Sequence, residues 1–400
     1  MTGPLTGVRV LELGNFLAAP FACRLFADFG ADVIKVERPG SGDEVRRWRL
    51  LRGETSMLFR TMARNKRSIT VDLHTDAGAD LVRDLVRHCD VVVENFRPGT
   101  LERWHLGPDE LTRVNPDVIV VRISGYGQTG PYRHRAGFGG VAEGFGGLRA
   151  VTGHPDRPPA RSAASIGDVA AGMYGAIGAL MLLLRRERGL PRSGPQVVDV
   201  ALYEAVFSML ESLVPEYDAY DVVRERTGGS LPGVVPSGVY PCQDGQFVLI
   251  GGNANRVFTR LARTIGRPDL AEDPELADGP GRARRAEEID EAIRAWTGSH
   301  DSGHVLKELD EAGVPAGPVL DAAGIVADPH YQARGMLEAW PVPGVAREVR
   351  FPGVVPRIPA EPGKVRWVGP ELGEHTEEVL AGLLGLDGER LARLRARGVV

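Results

Sequence analysis

Cysteine is scarce in this sequence: Cys23, Cys89 and Cys242 are the only three in 400 residues. They are odd in number, widely spaced and without a C-x-x-C pair, which argues against a disulfide framework or a zinc ribbon. Long apolar runs are lacking too. The most apolar helical stretch, Val169 to Leu184, ends in Arg185-Arg186, short of the roughly 20 residues that span a bilayer, and reads as a buried helix. No block of one charge exists: 48 basic against 53 acidic residues leave a net −5 spread along the chain, so there is no footprint for a phosphate backbone and nucleic acid is not expected as a partner. There is no G-x-S-x-G elbow, and the nine histidines are read as offering no metal-ligand set. The segment after Met1 is polar and then interrupted by Arg9 and Glu12, unlike a secretory signal; a cytoplasmic location and no membrane partner are the expectation.

What is present is an alternation of short β-branched runs with amphipathic helical patterns, the mark of a parallel sheet covered by helices. Val8 to Leu13 reads as a strand, Pro20 to Phe29 as a helix and Ala31 to Glu37 as a strand; the pattern repeats through Ser68 to Asp72, Ala77 to His88, Asp90 to Glu94 and Val118 to Ile123. In such folds ligands sit at the carboxyl ends of the strands. The predicted class is α/β: a Rossmann-like large domain with a parallel sheet plus a smaller α/β domain. The expected division is residues 1-225 for the first part of the large domain, 226-318 for the small domain and 319-400 for a segment returning to the large one. A Gly- and Pro-rich shift near Thr227 to Pro236 marks the linker, and Asp244-Gly245 the turn of a hairpin.

Gly125-Tyr-Gly-Gln-Thr-Gly130 satisfies G-x-G-x-x-G after a strand, but Pro131 follows where a dinucleotide fingerprint needs a helix, so nicotinamide binding is not expected. Lys66, Arg67, Arg97 and Arg103 fall near predicted strand ends, where guanidinium and ammonium groups could meet phosphate.

In order and spacing, several segments resemble the class III coenzyme A transferases, the CaiB/BaiF-type family that includes formyl-CoA, carnitine-CoA and bile-acid-CoA transferases and, as a relative, α-methylacyl-CoA racemase. They are Gly7 to Leu13, Gly30 to Gly40 with Gly42-Asp43, Asn65 to Ser68, Val92 to Gly99, Ser124 to Pro131, Gly167-Asp168 with Gly172, Gln196 to Val200, Pro236 to Tyr240, Gly266 to Leu270, Gly313 to Pro318 and Gly373 to Thr376. The resemblance implies an interlocked homodimer and transfer of CoA from an acyl-CoA to a carboxylic acid, with acyl-CoA as substrate and no permanently bound cofactor or metal. It places the nucleophile on Asp168 and contacts to CoA on Asn15, Leu17, Ala18, Arg38, Val71, Asn95, Phe96 and Arg103. Asn15, Leu17 and Ala18 would face the thioester, and the Gly137 to Gly147 backbone would supply oxyanion donors. Leu17 stands where formyl-CoA transferases carry a glutamine, which suits a less polar acyl group than oxalate. Two rival readings remain: a racemase, although Phe138 occupies the position of its histidine, and a CoA-ester binding protein without turnover.

Overall fold

The computed structural model describes residues 3–52, 55–231 and 233–400. Six strands form one parallel sheet: β1 (Arg9–Glu12), β2 (Asp32–Glu37), β3 (Lys66–Thr70), β4 (Val91–Glu94), β5 (Ile119–Ser124) and β6 (Gln196–Ala201), in the order β3-β2-β1-β4-β5-β6. This is the doubly wound order, whose direction reverses between β1 and β4 and leaves a crevice outside their carboxyl ends. The strands β1, β2, β4 and β5 carry apolar residues on both faces, as a sheet covered on both sides requires. Val10, Val33, Val91, Val93 and Val121 pack on one side with Ala22, Phe26 and Ala171. Their alternates Leu11, Ile34, Val92 and Val120 pack on the other with Val82, Leu85 and Val379, the period of two expected of a pleated strand.

The first side is covered by helices α1 (Ala18–Asp28) and, after α2 (Asp76–Val86) on the opposite side and the short α3 (Gly139–Phe145), by α4 (Ile166–Glu187). Pro20 lies in the first turn of α1, where its missing N–H costs nothing, so the helix begins two residues ahead of the proline. The α4 helix is not buried all round. Its Gly167, Ala170, Ala171, Gly172, Gly175, Ala176 and Ala179 face is buried, whereas Met173, Tyr174, Ile177, Leu180, Met181 and Leu184 are 40 to 64% exposed. By length and composition alone the helix could cross a membrane, but its small-residue face is part of the sheet's core. Helix α5 (Thr376–Leu384) closes the edge at β3, where Thr70 N–H donates to Thr376 Oγ1 at 3.0 Å and His375 N–H to Ser68 O at 2.9 Å.

By internal contacts the chain forms two compact units: residues up to Leu148 with Ser162–Ser212 and His330–Val400, and Arg149–Arg161 with Leu213–Pro329. The second has its own core of Tyr240, Val248, Ile250, Phe258, Leu261 and Ile293. Its antiparallel sheet joins β7 (Ser237–Pro241), β8 (Phe247–Gly251) and β9 (Ala316–Pro318). Gly245, at φ +78°, makes the β7–β8 turn, a conformation glycine adopts without penalty. His300 and His304 do have a four-residue spacing, contrary to the reading of the histidines above, and their rings stack 4.6 Å apart; no group of three metal-ligating side chains occurs among the described residues.

Lys66 and Arg67 do not meet phosphate at strand carboxyl ends, because both open β3 at its amino end. Arg67 pairs with Asp32 at 2.6 Å and Glu378 at 3.0 Å. Lys66 is fully buried and joins a charge network. Glu12 accepts from Lys35 Nζ at 2.7 Å and Lys66 Nζ at 2.6 Å, and Lys35 also reaches Asp43 at 2.8 Å. Glu37 is gripped by Arg46 at 2.7 Å through both oxygens and accepts from Ser68 Oγ at 2.6 Å. Burial opposes ionisation of Glu12 and Glu37, yet the lysines and Arg46 outweigh it and hold both carboxyls below their usual range. Burial works against Lys35 as well, but Asp43, Glu12 and Glu37 raise it; Lys66, with one carboxylate and the Pro20 carbonyl at 2.8 Å, is lowered by its burial.

Glu12→Gln strands Lys66 without its carboxylate and should cost about 3–5 kcal/mol in a urea titration. Because the folded pKa values of Glu12 and Glu37 lie below 4.5, their contribution is complete above about that pH and is lost as pH falls through the folded values. The wild-type melting temperature should therefore drop in that acid window, and more steeply than in the Glu12→Gln variant.

Candidate active site

The crevice at the β1/β4 reversal is spanned by two asparagines. Asn15 N–H donates to Asn95 Oδ1 at 2.9 Å, and Asn95 Nδ2 donates to Asn15 O at 2.7 Å. Gly14 makes room for this exchange: a Cβ there would lie 2.7 Å from Asn95 Oδ1 and 2.4 Å from Ala19 Cβ. The next residue, Phe16, has φ +64°, a left-handed conformation that is costly for a bulky side chain and tends to persist where surroundings enforce it. The enforcing group is Asp43, which accepts from Phe16 N–H at 3.1 Å while bound to Lys35. The buried charges thus fix the loop that leaves β1.

Beside this crossing lies a groove whose lining includes Asn15, Arg38, Val71, His74, Phe96 and Trp104. Trp104 meets Phe96 edge-on at 5.1 Å and His74 at 4.8 Å. His74 also contacts Asp72 at 2.9 Å; burial raises that carboxyl, but the bonds from His74 outweigh it and the net shift is downward. Glu94, fully buried at the end of β4, accepts from Phe96 N–H at 2.7 Å and Arg122 at 2.8 Å; burial pushes its pKa up to about 7 in spite of that arginine.

Asp168 is the third residue of α4 and half-buried. Its carboxylate lies against Gly139, the first residue of α3, so closely that a Cβ at that position would be 2.1 Å from Oδ2. One turn along α4, Gly172 rests on α1, where a Cβ would meet Ala18 O at 2.7 Å. Residues four apart share a helix face, so this contact directs Asp168 toward the amino end of α1. The Phe16 ring packs on Phe138 at 5.8 Å and on Trp48 at 5.2 Å, joining the β1 loop to the residue just before Gly139.

Asn15, Arg38, Val71 and Phe96 of the sequence-derived set therefore line one groove, with Asn95 as their cross-brace. Leu17 and Ala18 are buried, Leu17 among Val45, Phe59 and Met62 and Ala18 under α4. Arg103 is exposed and bonds within its own helix, to Gly99 O at 3.1 Å and Thr100 Oγ1 at 3.0 Å. Sequence reading missed Phe16, His74 and Trp104; Gly139 lies within the Gly137 to Gly147 stretch that it singled out for its backbone, where side chains disappear because backbone and a functional group must approach. The G-x-G-x-x-G stretch leads into turns without a helix, and a Cβ on Gly125 would lie 2.9 Å from Gly137 Cα: its glycines serve a close crossing of chains.

An open doubly wound sheet with a groove at its reversal point and a carboxylate at the head of a helix beside it defines an α/β enzyme with an acidic nucleophile candidate. Residues 5–376 match the model of CoA-transferase family III, and the chain belongs to that family. It is 49% identical to a succinyl-CoA–D-citramalate CoA-transferase of Chloroflexus aurantiacus over 99% of this chain and 98% of the relative. With the β subunit of a succinyl-CoA–L-malate CoA-transferase from the same organism it shares 40% over 100% and 98%. A CaiB/BaiF family protein from Brucella suis has the same fold, with TM-score 0.83 and 33% identity over 96% of this chain and 100% of that one. The protein is thus a CoA-transferase whose substrates are CoA thioesters and carboxylic acids.

Gly139→Ala tests whether the position of the carboxylate matters. It should lower CoA-transfer activity about a hundredfold, the usual loss for a reacting group misplaced by about 1 Å. The melting temperature should change little, because the added methyl meets a half-exposed side chain.

Proposed function

We propose that this enzyme carries CoA from succinyl-CoA to a hydroxylated dicarboxylic acid, with Asp168 as covalent nucleophile. The observation that carries the reading is the Asp168 carboxylate seated on Gly139 at the head of α4; the substrates are those named for the citramalate and malate relatives. Asp168 attacks the donor carbonyl and expels the CoA thiolate, leaving a mixed anhydride. The thiolate attacks the aspartyl carbonyl, releases succinate and leaves an aspartyl-CoA thioester. The acceptor carboxylate then displaces the thiolate to form a second anhydride. Attack of the thiolate on the acceptor carbonyl frees the new CoA ester and restores Asp168. The Gly137 to Gly147 backbone, beside the carboxylate, is the source of amide donors for the oxyanions of these steps.

In this reading the Asn15, Arg38, Val71 and Phe96 groove takes CoA, with Arg38 on a phosphate, Phe96 and Val71 as apolar surface and Asn95 holding Asn15 in place. Arg103 contributes once it leaves its local bonds, and Leu17 and Ala18 form the floor below the thioester. Phe138 offers no proton-transferring group, which favours transfer over racemisation.

Incubating the protein with acyl-CoA donors and carboxylic acids, and following CoA esters by mass spectrometry, should give citramalyl- or malyl-CoA from succinyl-CoA with the wild type. Asp168→Ala should show none, and hydroxylamine should mark Asp168 during turnover. Solvent deuterium entering the α-carbon of a 2-methylacyl-CoA, with no new ester, would replace this reading by racemase chemistry.

We also propose that two copies pair through α4. Its exposed residues at positions 173, 174, 177, 180, 181 and 184 form one apolar stripe at helical spacing, a surface that marks an interface. Light scattering after size exclusion should give twice the 43.1 kDa chain mass, and Met181→Glu should shift the equilibrium toward monomer.

A further inference from the structure

Arg49 is an L residue held at φ +62°, a conformation that glycine reaches freely and that strains any residue with a Cβ. Its side chain is exposed, and its bond is a long one, Nη2 to Ala163 O at 3.4 Å. Among the described residues it pairs with no carboxylate, whereas the neighbouring Arg46 and Arg47 pair with Glu37 and Glu44. The strain is thus offset by no ion pair within the described chain.

Two separate paths tie Arg49 to the elements around Asp168. Through its own backbone, Arg49 follows Trp48, whose ring lies on Phe16; Phe16 lies on Phe138, and Phe138 precedes the Gly139 that touches Asp168. Through its side chain it reaches Ala163, five residues before Asp168 on the segment leading into α4. A cation with no carboxylate partner among the described residues, tied to the segments that carry Asp168, suits a ligand that brings a second negative charge.

We infer that Arg49 is a specificity-determining residue that binds the far carboxylate of dicarboxylic acyl groups. This rests on the transferase reading above and adds to it the residue that selects its dicarboxylic substrates. An acyl-CoA that ends in a carboxylate is repelled by Asp168 as it approaches; a guanidinium at the far end of the acyl chain offsets that repulsion through a charge-assisted, bidentate contact. Donor and acceptor occupy the acyl position in turn, so the same arginine selects a dicarboxylate in both half-reactions.

The test compares succinyl-CoA with butyryl-CoA, in which a methyl replaces the far carboxylate, in wild type, Arg49→Gly and Arg49→Lys. Glycine is at home at this backbone angle, so Arg49→Gly should melt no lower than wild type. The kcat/KM ratio of succinyl-CoA to butyryl-CoA should fall about tenfold or more in Arg49→Gly, mainly through KM for succinyl-CoA, and recover in part in Arg49→Lys. An unchanged ratio, with both donors slowed equally, would overturn the inference while leaving the transferase reading intact. If the wild type forms no CoA ester from either donor, the transferase reading falls; calorimetric binding of the two CoA esters then decides Arg49 on its own, and equal affinity in wild type and Arg49→Gly would reject it.

Discussion

Strands β1, β2 and β3 are tied together by buried charge. Glu12 on β1 holds Lys35 of β2 and Lys66 of β3, Lys35 passes on to Asp43, and Glu37 holds Arg46 and Ser68. Such a network is a poor way to gain stability, since removing these ions from water costs several kcal/mol each before any pairing is counted. What it does here is geometric. Asp43 ends the chain of charges on the amide of Phe16, the strained residue where the chain leaves β1 for the crevice. Arg46 continues it to the Pro370 carbonyl at 3.2 Å, so the returning C-terminal segment is locked to the same point. An apolar core of equal volume could hold the sheet, but it would have no directional bond with which to keep Phe16 in its left-handed conformation.

A second constraint sets the other half of the site. Helix α4 meets α1 through glycine and alanine, and the absence of side chains at Gly172 and Gly175 lets it lie on Ala18 O and on Val121 and Ile123. Close approach of helix backbones leaves little freedom of register, so this packing carries Asp168, one turn before Gly172, to the end of α1. Gly139 completes the arrangement from the α3 side. The small residues of α4 and its exposed large ones are two sides of one pattern: the helix is thin where it meets the sheet and bulky where it faces outward.

Much of the sheet was legible because its strands are apolar on both faces and separated by amphipathic helices. β1, β2 and β4 lie within the stretches read from the alternation, β5 runs one residue past its stretch, and the Asp244-Gly245 turn stands between β7 and β8. The nature of α4 was half legible. Its length and apolarity suggested burial, but Ala/Gly and Met/Leu/Ile positions count alike as apolar, so the reading could not separate the face in the core from the face left exposed. Lys66 misled for a related reason: a basic residue near a strand suggests surface or phosphate, and nothing local shows that Glu12, 54 positions away, awaits it inside. Phe16 and Arg49 carried no signal at all, because a positive φ at a non-glycine residue is imposed by tertiary contacts and contradicts local preference.

These strained positions also suggest a division of labour. The Asn15–Asn95 crossing and the groove beyond it belong to the sheet's reversal point, which in doubly wound folds serves ligands of many kinds. The residues of the proposed mechanism instead sit on loops and helix ends brought to it: Phe16 from β1, Trp48 and Arg49 from the segment after β2, and Phe138-Gly139 and Asp168 from the far side of β5. In the proposed mechanism Asp168, which is half-buried, gains reactivity when a bound acyl-CoA displaces the remaining water beside it, and that suits an anhydride intermediate, which free water would otherwise hydrolyse.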